Sequence, residues 1–219
     1  MSIQDIALGF CGRGGKKLRP RLCKAVFVRC GGTGDIDGVC DAIECFHKAS
    51  LIHDDIQDGD EERYGRPTVW KEFGVPVAVA AGDWLVAHGY RLIAESGFAA
   101  MPQMVHAAVL SHVRLCEGQG DDLLSDNAQR PLADIQPSAY VSICERKTGE
   151  AFALAAQLGA LAAGADDAPF RRYGLTYGIL FQINDDLADG ANPASLAELK
   201  KEYEDKTALY RDECALGMW

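Results

Sequence analysis

Residues 50–62 read SLIHDDIQDGDEE. The apolar step Leu51-Ile52 runs into Asp54, Asp55 and Asp58, with Asp60, Glu61 and Glu62 close behind. On a helix Asp54 and Asp58 share one face and Asp55 flanks it. Two carboxylates ~5 Å apart at an effective dielectric of ~20 repel by about 3 kcal/mol. That is a large fraction of the net stability of a domain. Bulk water or a bound cation has to offset it. Helical steps back from Asp54 reach Leu51 and then His47. An apolar position followed by carboxylates predicts a pocket that is greasy below and charged at its mouth.

A second stretch, FQINDDLAD at 181–189, repeats the spacing with Asp185, Asp186 and Asp189. Gln182, Asp185, Asp186 and Asp189 fall at i, i+3, i+4 and i+7, one stripe of a helix. A single DDxxD reads as a solvated helix end. Two copies, each closing an apolar helix, point to hard oxygen ligands of the kind Mg²⁺ takes together with substrate phosphates.

Between and around these stretches strand signals are scarce and Ala/Leu-rich segments dominate. The pattern predicts helices near 18–30, 36–58, 75–96, 100–126, 136–164, 168–189 and 194–215. Breaks fall at Gly-, Pro-, Asn- or Asp-rich steps such as GGTGD (31–35), YGRP (64–67) and GANP (190–193). The class is all-α, a helical bundle, and the expected organisation is a single domain over 1–219.

The chain carries a formal charge of −10 and a pI of about 4.9. That balance argues against nucleic acid or an anionic membrane surface as partner. An anionic substrate then needs metal ions or a local basic cluster. Eight cysteines form no CxxC pair and suit a reducing compartment, so a cytoplasmic location is expected. Met1 to Phe10 shows no signal-peptide pattern. The small-apolar run from Ala151 to Ala165 is too short to span a bilayer, so no transmembrane segment is expected. Basic clusters do occur: Lys16, Lys17 and Arg19 after two glycines, Arg63 after the first acidic cluster, and Arg146 and Lys147 before Thr148.

The ordered set GGKKLRP, HKASLIHDDIQD, RYGRPTVW, AGDWL, GQGDDL, KTG and FQINDDLAD resembles the trans-isoprenyl diphosphate synthases, the polyprenyl synthetase family. The resemblance runs from about Gly14 to Asp189. It implies an isoprenoid synthase bundle around a deep cavity and Mg²⁺-dependent head-to-tail condensation of an allylic diphosphate with isopentenyl diphosphate. A homodimer is also implied. By the same resemblance Asp54, Asp55 and Asp58, with Asp185, Asp186 and Asp189, hold Mg²⁺. Arg63, Lys147 and Gln182 contact the allylic diphosphate, and Thr148 faces the allylic cation. Lys16, Arg19 and His47 receive isopentenyl diphosphate. Gln119 and Asp122 match a motif that points into the same cavity.

Two features depart from the family. Its usual arginine pair after the first motif is Arg63–Tyr64 here, one cation fewer for isopentenyl diphosphate, with Arg66 nearby. The chain is also short at both ends relative to the family. Either it is a compact member or residues near Gly190 are omitted. Three readings follow: an isoprenyl diphosphate synthase; another ionisation-initiated enzyme on this fold, a terpene cyclase or a prenyltransferase to a different acceptor; and a non-catalytic partner subunit. For the first, chain length is expected to depend on residues before Asp54. Ala49 and Ser50 are small, and Phe46 is the first bulky group deeper along the helix, so mainly a twenty-carbon geranylgeranyl product is expected, with twenty-five carbons next. Trp84 or Val86 is the alternative floor. His53, His88, His106 and His112 read as structural.

Overall fold

A computed structural model describes residues 1–124, 136–188 and 194–217. Ten α-helices dominate these residues: α1 (Ile3–Cys11), α2 (Leu18–Arg29), α3 (Asp37–Asp58), α4 (Val69–Phe73), α5 (Val75–Ala94), α6 (Met101–Leu124), α7 (Pro137–Cys144), α8 (Glu150–Ala162), α9 (Ala168–Ala188) and α10 (Ala194–Glu213). The strands among them are the two-residue pair β1 (Glu62–Arg63) and β2 (Arg66–Pro67). The all-α expectation therefore holds, with two helices, α1 and α4, beyond those predicted.

Helix α1 starts at a reciprocal cap. The Ser2 hydroxyl accepts from the Asp5 amide at 3.2 Å, and the Asp5 carboxylate accepts from the Ser2 amide at 2.7 Å. Helix α3 stops at Gly59, whose φ of 73° is the left-handed conformation that closes helices. The β1–β2 turn has Tyr64 and Gly65 at φ 55° and 71°. Positive φ at both central residues is what a two-residue hairpin requires.

Helices α3 and α5 run closely packed because two glycines admit two rings. A Cβ on Gly82 would stand 2.2 Å from the His53 ring, and one on Gly89 would stand 2.6 Å from the Phe46 ring. Both pairs are seven residues apart, two helical turns on each partner. This seats Phe46 at a fixed depth below Asp54.

The segment expected as one helix over 136–164 is interrupted. Residues Glu145–Gly149 form a π-helical turn in which the Glu150 amide donates to the Glu145 carbonyl. Such wide turns shift the register of the side chains they carry and are frequent at functional sites. Here they carry Lys147 and Thr148. Buried cores lie between α2, α3, α6 and α8, between α1, α3, α4 and α5, and between α7, α9 and α10. Among the described residues no helix is long and apolar enough to cross a membrane.

Candidate active site

Helices α3, α5, α6 and α8, with the start of α2 and the π-helical turn, enclose a cavity of about 400 Å³. Its polar lining is Arg19, His47, Asp54, Gln57, Gln119 and Lys147. Its apolar lining includes Ile43, Phe46, Ala49, Val86, Leu115 and Leu154. Ser50, His53 and His112 also line it. Of the stripe read from the sequence, Asp54 and His47 line the cavity, whereas Leu51 between them packs against the core of α1, α3, α4 and α5.

Phe46 is 9% exposed, and its ring meets Tyr90 at 5.0 Å and His112 at 4.9 Å between centroids. The Tyr90 hydroxyl and His112 Nδ1 are 2.9 Å apart. Trp84 instead stacks on His88 and does not line the cavity, whereas Val86 does. His53 and His112 read as structural from spacing alone, yet both reach the cavity wall. Only tertiary contact reveals this.

The first carboxylate stripe is divided by burial. Asp54 is half-buried on the cavity wall; burial pushes its carboxyl up, and the Lys147 ammonium opposes that. Asp55 is fully buried and accepts from Arg63 Nε at 2.5 Å through Oδ1. Its Oδ2 has no partner among the described residues. Burial pushes Asp55 up as well, against the Arg63 bond. Asp58 is exposed at the helix end.

From the π-helical turn, Thr148 Oγ1 donates to Gln182 Oε1 of α9 at 2.7 Å, and Gln182 Nε2 donates to Asp186 Oδ1 at 2.9 Å. Tyr140 donates to Asp186 Oδ2 at 2.5 Å. Both Asp186 oxygens are thus engaged, while Asp185 is exposed. Asp189 lies outside the described residues. Lys147 Nζ donates to Asp122 Oδ2 at 2.8 Å. Burial pulls this ammonium down, but Asp122, with Asp54 and Asp58, outweighs it and the net direction is up.

Arg19 and His47 meet at 3.4 Å, and the Arg19 guanidinium lies 4.4 Å from the Phe152 ring centre. Burial, reinforced by Arg19, Lys48 and Arg63, pushes His47 down to about 2, so the ring is neutral at ordinary pH. Burial also lowers Arg19, to about 10. Lys16 and Arg66 are exposed.

Among the described residues no three His, Cys, Asp or Glu side chains converge as a ready-made metal cage. The donors on offer are carboxylate oxygens: Asp54 on the wall, Asp55 with an unpartnered buried oxygen, and exposed Asp58 and Asp185. Hard oxygen donors on separate helices, leaving positions for phosphate and water, fit Mg²⁺.

An all-α bundle around an apolar cavity that carries Asp54 and the basic Arg19 and Lys147 on its wall is the arrangement of the isoprenoid synthase class. The chain belongs to the polyprenyl synthetase family, whose model matches residues 2–208. It is 38% identical over 181 residues to the short chain isoprenyl diphosphate synthase of Methanothermobacter thermautotrophicus, covering 80% of this chain and 54% of that protein. It is 36% identical over 181 residues to the geranylgeranyl diphosphate synthase of Mycobacterium tuberculosis, covering 80% and 51%. Its fold is similar to that of the polyprenyl synthase from Caulobacter crescentus, a crystal structure complexed with calcium and isoprenyl diphosphate. That similarity has a TM-score of 0.75 at 29% identity over 84% of this chain and 55% of the other. The chain spans about half the length of the curated relatives it matches.

Proposed function

We propose that this chain is a Mg²⁺-dependent prenyltransferase domain that condenses an allylic diphosphate with isopentenyl diphosphate to a mainly twenty-carbon product. The observation that carries the reading is that one cavity is lined by Asp54, Lys147, Arg19 and His47 together with the bulky Phe46. The family match and the names of the relatives support the same reaction class.

In this reading Asp54, Asp55, Asp58 and Asp185 offer the oxygens for Mg²⁺, while Asp186, whose two oxygens are held by Tyr140 and Gln182, and Asp189 join the ligand set by family resemblance. When bound, the metal neutralises charge on the departing diphosphate. Lys147, Arg63 and Gln182 orient that diphosphate, and Thr148 sets the Gln182 carboxamide through its hydrogen bond. The allylic C–O bond breaks and diphosphate leaves, the double bond of isopentenyl diphosphate attacks the allylic carbon, and the released diphosphate takes up one proton as the new double bond forms. Lys16, Arg19 and the neutral His47 hold the second diphosphate. The apolar walls exclude water from the cation.

Eight residues separate Asp54 from Phe46, about 12 Å along the helix. Ala49 and Ser50 leave that length open, and the Phe46 and His112 rings, backed by Tyr90, close it. The exposed apolar residues Val109, Leu110 and Val113 on α6 and Val79 on α5 support a homodimer. Free thiols at all eight cysteines suit the cytoplasm.

The test is product length. The chain is incubated with Mg²⁺, geranyl diphosphate and labelled isopentenyl diphosphate, and the dephosphorylated products are separated by chromatography. Geranylgeraniol as the main product is expected; farnesol-length or very long products would reject the assigned floor.

A further inference from the structure

Lys48 is the one lysine in the chain's first acidic helix, between His47 and Ala49, and it has no solvent exposure. Burying an ammonium is costly unless it is paired and hydrogen-bonded. Its Nζ donates to the Arg13 carbonyl at 2.6 Å and to the Gly14 carbonyl at 3.1 Å. Glu44 Oε1 lies 3.9 Å away. The ammonium faces the Tyr64 ring at 4.5 Å and the Phe10 ring at 5.6 Å. Every one of these contacts bears on the loop between α1 and α2 or on what packs against it.

We propose that Lys48 is the positioning residue of the glycine-rich loop 12–17, which presents Lys16 and leads into Arg19; this rests on the diphosphate-binding reading above. Trans peptides point C=O and N–H in opposite directions. Two carbonyls turned onto Lys48 therefore turn the Gly14 and Gly15 amides away from it, leaving them to face an anion rather than the ammonium. The loop needs such an anchor, since Gly14, Gly15 and the non-glycine Lys17 all have positive φ, at 47°, 98° and 49°. Tyr64 completes the device. A Cβ on Gly14 would stand 2.8 Å from its ring, so loop and ring are in close contact. An arginine at position 64 would set a second cation against the buried ammonium, whereas an aromatic face attracts it.

The experiment uses the full chain with Mg²⁺, farnesyl diphosphate and isopentenyl diphosphate, with the wild type as control. Lys48→Met keeps the stem and removes the ammonium. The Michaelis constant for isopentenyl diphosphate should rise at least tenfold, while kcat and the constant for the allylic diphosphate stay within about twofold. Calorimetric titration of metal-free protein with inorganic diphosphate should weaken by a similar factor. If Lys48→Met does not fold, Gly15→Ala replaces it. Its new Cβ would lie 3.5 Å from Lys48 Nζ at a strained φ and should give the same selective rise. Equal rises for both substrates, a fall in kcat alone, or no change would overturn the proposal. A wild type that does not condense the substrates refutes the functional reading instead, and the calorimetric arm then decides the loop's role alone.

Discussion

Phe46→Ala tests the cavity floor. The ring is 9% exposed and is held by Tyr90, His112 and the gap at Gly89. Truncating a buried Phe to Ala costs about 3–5 kcal/mol. One side of this ring already faces the cavity, so the lower end, about 3 kcal/mol, is expected. For a chain of this size that lowers the melting temperature by roughly 6–12 °C. The next cavity-lining residue on the same helix is Ile43. It lies three residues earlier, about 4.5 Å deeper. That is room for one more five-carbon unit, so the main product should move from twenty to twenty-five carbons. The assay is chromatography of dephosphorylated products made from geranyl diphosphate and labelled isopentenyl diphosphate. Ala49→Phe, which raises the floor, should stop the chain at fifteen carbons. A folded, active Phe46→Ala variant with an unchanged product distribution would refute the reasoning.

Asp54→Ala and Asp185→Ala should each lower turnover by roughly a hundredfold or more. Thermal melts without substrate should stay near wild type, because removing a carboxylate relieves repulsion; a loss of folding would show a structural role instead. The His47 ring titrates at about 2 when folded against 6.5 ordinarily, so between those values only the unfolded chain takes up its proton. Its contribution is whole above pH 6.5 and declines as pH falls, by about 2 kcal/mol at pH 5. Denaturant melts of wild type and His47→Asn should therefore converge by that amount between pH 7 and pH 5, and parallel curves would contradict it. The raised carboxyls of Asp54, Asp55 and Glu44 act in the opposite sense but are common to both proteins. Val113→Lys, on the exposed face of α6, should shift sedimentation from dimer to monomer; a wild type that is already monomeric removes the homodimer.

The fold class and the main stripes were legible because they depend on local periodicity. Asp54, His47 and Phe46 fall where helical spacing from the DDxxD stretch puts them, around one cavity. Helix α1 was legible in principle, through the Ser2–Asp5 cap, but its nine residues carry a weak periodic signal. The π-helical turn was not legible, because ERKTG has ordinary helical propensity and the wide turn is set by packing against α9. Gly149 and Gly178 approach so closely that a Cβ on Gly178 would stand 2.7 Å from the Gly149 Cα. Contacts across long sequence separations stayed hidden as well: Tyr140 on Asp186, His112 on Phe46, and Lys48 under the 12–17 loop. Each joins residues whose individual patterns look bland. The unequal burial of Asp54, Asp55 and Asp58 likewise needs the neighbouring hairpin, from which Arg63 reaches Asp55.

The central claim is that the carboxylates at the mouth of this cavity drive a metal-dependent prenyl transfer. The most direct measurement is incorporation of label from isopentenyl diphosphate into acid-labile allylic product, with Mg²⁺ and then with excess EDTA. Incorporation that needs an added allylic diphosphate, is abolished by EDTA and is restored by Mg²⁺ is the predicted result. Full incorporation in EDTA, or none under any condition by a folded chain, would contradict the account.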